Sequence, residues 1–464
     1  MTIPALIASL PAIALSGRCS SHIDCNMAGY CVAGACHCDI GWTGSSCELI
    51  NFGQAERCGA GGLCLNNTEA STGEYSSRFT SSWGGEAVEG DDGNWHIYAA
   101  AFDQNAELRS WLTQSRVVHG ISASGPQGPY NIHDIALGPR DTAIHWDGTT
   151  QHNPAVQRAP TGEYLLYYMG SSSNETDVSS SPRCHSWCAD HHLNTTTCSQ
   201  RVGLATSKIP NGPWTRLDRP ILGAGPRNAW DDQFTTNPTP YVFPNGSALL
   251  IYKVLQSHPR PGPDSNPNPN PYPYPRPGRT LTCTLSFTRC TILSAMRPQP
   301  QTPSAKAKPQ APKPQPYLTP TYPPRKARSR ENMNVMSTGV AFAKHWSGPY
   351  ERATNHPIDV APECEDAGIY FSSKMRVFRI ILHCGCSYQS VWSTDGINWR
   401  RTAAPQPWCD VKYSDGTSER MTRRERPKWI IDKNGNPAAL LTGVEPASSH
   451  SGRTFTMAQA IVAA

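Results

Sequence analysis

Two adjacent carboxylates, Glu365 and Asp366, and a glutamate set among arginines, Arg424-Glu425-Arg426, are the residues of this chain best suited to moving protons. Paired carboxyls let one group donate a proton while the other stays charged and activates water or attacks carbon. Breaking a glycosidic bond needs that division of labour. Two further aspartates follow tryptophans, in Trp146-Asp147 and Trp230-Asp231, and each stands six residues before an asparagine, Asn153 or Asn237. Amides and the Arg426 guanidinium suit sugar hydroxyls, His152 and His383 suit hydroxyl binding or a proton relay, and the Trp83 indole suits the apolar face of a pyranose. In this cast Glu365 is the candidate acid or base and Asp366 its tuner or partner. Asp147 and Asp231 are candidates for the opposite carboxylate, and Glu425 is expected to pair with Arg426 or Arg424.

These residues belong to a repeat. The triplets Trp83-Gly84-Gly85, His152-Asn153-Pro154, Thr236-Asn237-Pro238, Glu365-Asp366-Ala367 and Glu425-Arg426-Pro427 each precede a hydrophobic run. Eight positions separate the third triplet residue from the first residue of the run, at Gly93, Gly162, Gly246, Met375 and Gly435. After four of the runs comes a strand ending in small or hydroxyl residues and a turn closed by an aromatic, as in the segments ending at Tyr130, Trp214, Tyr350 and Trp399. Asp91-Asp92-Gly93, Asp395-Gly396 and Asn434-Gly435 read as hairpin turns. Repeated hairpin-plus-strand units of this size resemble propeller blades. The expected fold is all-β: a five-bladed β-propeller over residues 76–464, its runs forming the inner strands and its triplets a ring at one mouth of the channel. A two-sheet sandwich is the competing fold.

The triplets are similar to those of the five-bladed β-propeller glycosidases, the superfamily of arabinanases, xylosidases, invertases and agarobiose hydrolases. Members carry Asp-Pro or Glu-Asp-Pro motifs at inner-strand starts, matched here by Glu365-Asp366 and Arg424-Glu425-Arg426-Pro427. The chain departs from the pattern at Trp83-Gly84-Gly85, where many members place the basic aspartate, and at Asn153 and Asn237. The resemblance implies a glycoside hydrolase acting on a polysaccharide or oligosaccharide without a cofactor.

Ahead of the repeats, Cys19 to Cys47 follow the spacing C-x5-C-x5-C-x4-C-x-C-x8-C, which alone leaves fifteen pairings open. The spacing, with Gly41-Trp42-Thr43-Gly44 in the last loop, closely resembles an EGF-like module over residues 18–48. That resemblance implies the pairs Cys19 with Cys31, Cys25 with Cys36 and Cys38 with Cys47. Ser16-Gly17-Arg18 stands where calcium-binding members place acids, so no calcium is expected there. Residues 1–17 read as a signal peptide and 49–75 as a linker. Seventeen cysteines and four N-x-Ser/Thr sequons, at Asn66, Asn174, Asn194 and Asn245, fit a secreted protein. No stretch is long and apolar enough to span a membrane. Cys184, Cys188, His191, His192 and Cys198 are read as a disulfide-stapled loop, so no metal site is expected.

Residues 254–335 hold 19 of the 42 prolines, and their twelve Lys or Arg against two acids make the chain's basicity local. Such a stretch cannot pack a core, and it gives no reason to expect nucleic acid. It reads either as a disordered polybasic insert or as translated non-coding sequence, and its Cys283 and Cys290 stand outside any framework. Three functions follow: a secreted glycosidase, a catalytically inactive glycan-binding propeller, and an EGF-linked adhesion protein whose propeller binds protein, the EGF-like module offering a further surface for an extracellular protein partner.

Overall fold

Period-two apolar runs buried on both faces need a neighbour on each side, and the chain supplies one by repeating the same sheet around an axis. The structure, a computed structural model, describes residues 19–57, 62–63, 79–103, 108–172, 200–226, 229–256, 335–361, 364–449 and 453–463. The chain divides into two units, Met1–Ser257 with Asn334–Ala464, and His258–Met333. The second unit lies outside the described residues, as do the leader, Cys58, Cys64, the segment carrying Cys184, Cys188 and Cys198, and the sequons at Asn66, Asn174 and Asn194.

Five antiparallel sheets form the five blades. Their triplet-bearing first strands are Phe79–Glu89, Thr150–Arg158, Thr235–Val242, Glu365–Ser372 and, in the last blade, Ser418–Ile431, whose N-terminal end also pairs with the short strand Asp410–Lys412. Each contacts the first strand of the next blade, and the fifth contacts the first, so these strands surround the axis. The expected inner runs are therefore one place further out. Trp95–Asp103, Tyr164–Ser171, Ala248–Gln256, Val377–His383 and Pro437–Pro446 are the second strands, paired to the triplet-bearing strands inside them.

Alternate residues of each run serve opposite interfaces. Leu166 and Tyr168 pack toward the first blade with Tyr98 and Val117, while Leu165 and Tyr167 pack toward the third with Leu250 and Tyr252. The corner between first and second strands needs a left-handed residue, which is Gly93, Gly162, Gly246 and Gly435 in four blades and Arg376 in the fourth. The expected register at Met375 is thus off by one, and the fourth blade spends an extra residue on its corner.

The ring closes with chain from the N-terminal side: Phe52–Ala55 is the outermost strand of the fifth blade, beyond Phe455–Ile461. Part of the expected linker is therefore blade. The three expected N-terminal disulfides are present. The small cystine-rich unit that they hold is docked rather than dangling. Trp42 is buried with its Nε1 donating to the Tyr370 hydroxyl at 3.0 Å, Arg379 stacks on its ring, and Cys25 and Cys47 share a core with Trp408 and Trp429. Among the described residues, no helix is long and apolar enough to cross a membrane.

Candidate functional site

One backbone device builds the site. In every blade the pairing of first and second strands skips two residues, between Trp83 and Glu86, His152 and Ala155, Thr236 and Thr239, Glu365 and Gly368, and Glu425 and Lys428. The skipped pair is the second and third triplet residue. The second is left-handed in all five, with φ of 58° at Gly84, 47° at Asn153, 52° at Asn237, 56° at Asp366 and 59° at Arg426. Gly, Asn and Asp tolerate that conformation, whereas an arginine is strained in it. The bulge expels these side chains from the ladder and turns them to the axis.

There they link around the channel. Asn153 Nδ2 donates to Asn237 Oδ1 at 2.6 Å, Asn237 Nδ2 donates to Asp366 Oδ1 at 2.6 Å, and Arg426 Nη1 pairs with the same Asp366 oxygen. Gly84 takes the fifth place, where a Cβ would stand 3.0 Å from the Arg426 Cβ, so the glycine makes room for the arginine's stem.

A second tier, two residues along, was not foreseen from the sequence: Glu86, Ala155, Thr239, Gly368 and Lys428. Glu86 accepts from the Val156 amide at 3.0 Å. Lys428 Nζ donates to the Pro238 and Ala367 carbonyls at 2.9 and 3.1 Å and to the Thr239 hydroxyl. These two residues and their partners come from all five blades. Burial pushes the Glu86 carboxyl up to about 7 against the pull of Lys428, and burial pushes Lys428 down to about 8 against that of Glu86.

Above the first tier stand the ionisable first-position residues and their cross-strand partners. His383 is paired across the sheet with Glu365, and Lys253 holds the equivalent place opposite Thr236. Lys253 Nζ contacts Glu365 Oε2 and lies 3.9 Å from Asp366 Oδ1. His383 Nδ1 lies 3.6 Å from Glu365 and 3.7 Å from Asp366. Burial opposes ionisation of Glu365, yet Lys253, Arg426 and His383 together outweigh it and hold the carboxyl at about 2. Burial lowers both His383 and Lys253. A disulfide joins Cys364 to Cys384, the residues flanking Glu365 and His383, and clamps the two strand ends that carry the pair. Lys253 escaped the sequence reading; its signal was a lone charge closing the apolar run that begins at Gly246.

The structure brings together Glu365, Asp366, His383, Asn153, Asn237 and Arg426. His152 joins them electrostatically through Arg426 and Lys253, and burial followed by these cations holds it neutral, well below the usual histidine range. Its Nδ1 is 2.8 Å from the Ser115 hydroxyl and its ring stacks on Trp111 at 5.5 Å. Glu425 pairs with Arg423 at 3.2 Å rather than with its expected partners. Arg426 is drawn to Asp366, and Arg424 is buried, donating to the Trp408 carbonyl and Gln459.

Asp147 and Asp231 are engaged elsewhere. Asp147, fully buried, accepts from the Tyr168 hydroxyl at 2.6 Å and pairs with Arg140 and Arg216. Asp231 repeats this one blade on with Tyr252 and Arg352. They are matched anchors tying inter-blade segments to second and fourth strands. Trp83 is only 1% exposed; its indole lies against Gly443, where a Cβ would come within 2.6 Å, so it packs the blades instead of facing the channel.

Ligand-type atoms of Glu365, Asp366 and His383 lie within 4.8 Å of one another. Lys253 and Arg426 already neutralise both carboxylates, so the donor chemistry is that of an ion-pair cluster and does not favour a bound cation.

Among solved structures, the chain is similar to Zg3597, a family 117 glycoside hydrolase of the marine bacterium Zobellia galactanivorans, at 14% identity over 82% of this chain and 83% of that one, with a TM-score of 0.46. It is also similar to CoXyl43, a β-xylosidase/α-arabinofuranosidase from a compost microbial metagenome (12% identity, 82% and 91% covered, TM-score 0.43). A GH43_1 enzyme from Xanthomonas citri follows at 10% identity, 82% and 88% covered, and TM-score 0.42. No family model and no curated protein matches the chain. At such identities these likenesses give no residue here a role.

Proposed function

We propose that the ring mouth is a carbohydrate site and that the protein is a secreted, glycoside hydrolase-like propeller acting on a polysaccharide or oligosaccharide. The observation that carries this is the cluster of Glu365, Asp366, His383, Lys253 and Arg426, in which a carboxylate is held charged beside a neutral histidine at one end of the channel. Glu365 is the anion that activates water or attacks the anomeric carbon. The proton for the leaving oxygen comes from Glu425 in its carboxylic acid form, first in its triplet one blade on. Asn153 and Asn237 hold hydroxyls. Secretion is supported by the apolar leader, the sequons and five disulfides among the described residues, and the EGF-like reading of residues 18–48 by their three bridges.

A second reading is favoured by the engagement of Asp147 and Asp231 with arginines, which removes two of the candidates for an opposed carboxylate. On that reading the site binds glycan without cleaving it.

A panel of plant, algal and wall polysaccharides, scored for reducing ends and for binding, separates the two. Glu365→Gln keeps the shape and removes the charge, and is expected to lower turnover by roughly 10²- to 10⁴-fold with binding nearly intact. Binding with no product from either protein supports the glycan-binding propeller instead.

A further inference from the structure

We propose that Lys253 is a positioning residue, whose ammonium, packed between the Glu365 and Asp366 carboxylates, keeps Glu365 an oriented anion and so assigns it to base or nucleophile work rather than proton donation. This rests on the carbohydrate-site reading above and deepens it.

The register isolates the residue. The second-strand positions opposite the first triplet residue are Ala100, Met169, Lys253, His383 and Gly443, so only the third and fourth blades place an ionisable group there. The lysine stem crosses from the third blade to the fourth to reach Glu365, whose side chain is 20% exposed, while Lys253 itself is 8% exposed. Few waters screen a pair so enclosed, and its attraction is correspondingly strong.

The other charged groups facing Glu365 are few. Asp366 stands beside it on its own strand, His383 across the sheet, Arg426 on the fifth blade bound to Asp366, and Glu425 beyond, paired with Arg423. Arg426 is spent on Asp366, which leaves Lys253 as the direct cation on Glu365. Without it, two neighbouring buried carboxyls share one remaining cation, and like-charge repulsion with burial drives one of them to keep its proton. Lys253, Arg426 and His383 are the groups that hold Glu365 below its ordinary value of 4.5, against burial.

The test reads the carboxyl itself and needs no substrate. In protein labelled with ¹³C at glutamate side-chain carboxyls, the Glu365 resonance, assigned by its loss in Glu365→Gln, is titrated from acid to neutral pH. The expected midpoint in the unaltered protein lies well below 4.5. Lys253→Met is expected to raise it by at least about one pH unit, and Lys253→Arg to restore it. A wild-type midpoint at or above 4.5 overturns the inference whether or not any variant folds, and so does a Lys253→Met midpoint equal to wild type. If the midpoint moves as expected but no glycan is bound or cleaved, the role of Lys253 stands and the carbohydrate reading fails. If glycan is cleaved and the midpoint does not move, the carbohydrate reading stands and the role of Lys253 falls.

Discussion

Replacing Lys428 with methionine tests whether the second tier holds the five blades together. The ammonium donates to two carbonyls and a hydroxyl from the third and fourth blades. Methionine fills similar volume and donates nothing. The Thr239 hydroxyl still donates to the Ala367 carbonyl at 2.6 Å, so the acceptor that loses its lysine partner is the Pro238 carbonyl, at about 1–3 kcal/mol. Release of the ammonium's own burial penalty offsets part of this, so the expected loss is about 1–2 kcal/mol at pH 6, where Glu86 is mostly protonated and no charge is stranded. Glu86 binds its proton more tightly folded than unfolded, so its contribution is complete below its unfolded value and is lost as pH rises through about 7. Without Lys428 the folded value rises further, so the variant keeps losing stability where the parent has stopped. The gap should widen by about 1 kcal/mol between pH 6 and pH 8. Urea unfolding at both pH values measures it, and Glu86→Gln added to Lys428→Met should abolish the widening while keeping an acceptor for the Val156 amide. No loss at pH 6, or a gap independent of pH, would refute the account of the tier.

Asp231→Asn, which weakens the pair with Arg352, should lower the urea midpoint by the equivalent of about 2–4 kcal/mol while leaving the glycan affinity of folded protein unchanged; a loss of affinity without loss of stability would return Asp231 to the site. Cys364→Ser with Cys384→Ser should leave the blade folded but loosen the Glu365–His383 pair, seen as faster amide exchange at both residues than in the parent. Because the Glu365 carboxyl is depressed to about 2, its stabilisation is complete above 4.5 and is lost as pH falls through that window. Glu365→Gln should therefore flatten the acid limb of a thermal stability profile between those values, and an unchanged limb would contradict the ion-pair cluster.

The five-fold repeat was legible from residue types because its device is local. A left-handed residue is needed once per triplet, and Gly84, Asn153, Asn237 and Asp366 advertise that need in their own chemistry. The three N-terminal disulfides are those that the EGF-like resemblance implied, since the spacing alone left fifteen pairings open. Which strand stands innermost was not local. The triplets and the runs are both apolar enough to be buried, and only the contact of neighbouring blades puts the triplet strands at the axis.

Tertiary structure alone decided which charges meet. Asp147 and Asp231 share the triplet asparagines' spacing and look like site carboxylates, yet Arg216 and Arg352 arrive from distant segments and claim them, with the nearby Arg140 joining at Asp147. Lys253 is an unremarkable strand end until the third and fourth blades pack side by side and place it on Glu365, more than a hundred residues away. Phe52–Ala55 joins the fifth blade across almost the whole chain, because the ring has an open edge that some strand must cover. Backbone conformation at each triplet is an affair of neighbours in sequence, whereas the protonation and pairing of the groups it presents depend on neighbours in space. The chain therefore declared its repeat and left its electrostatics to the closing of the ring.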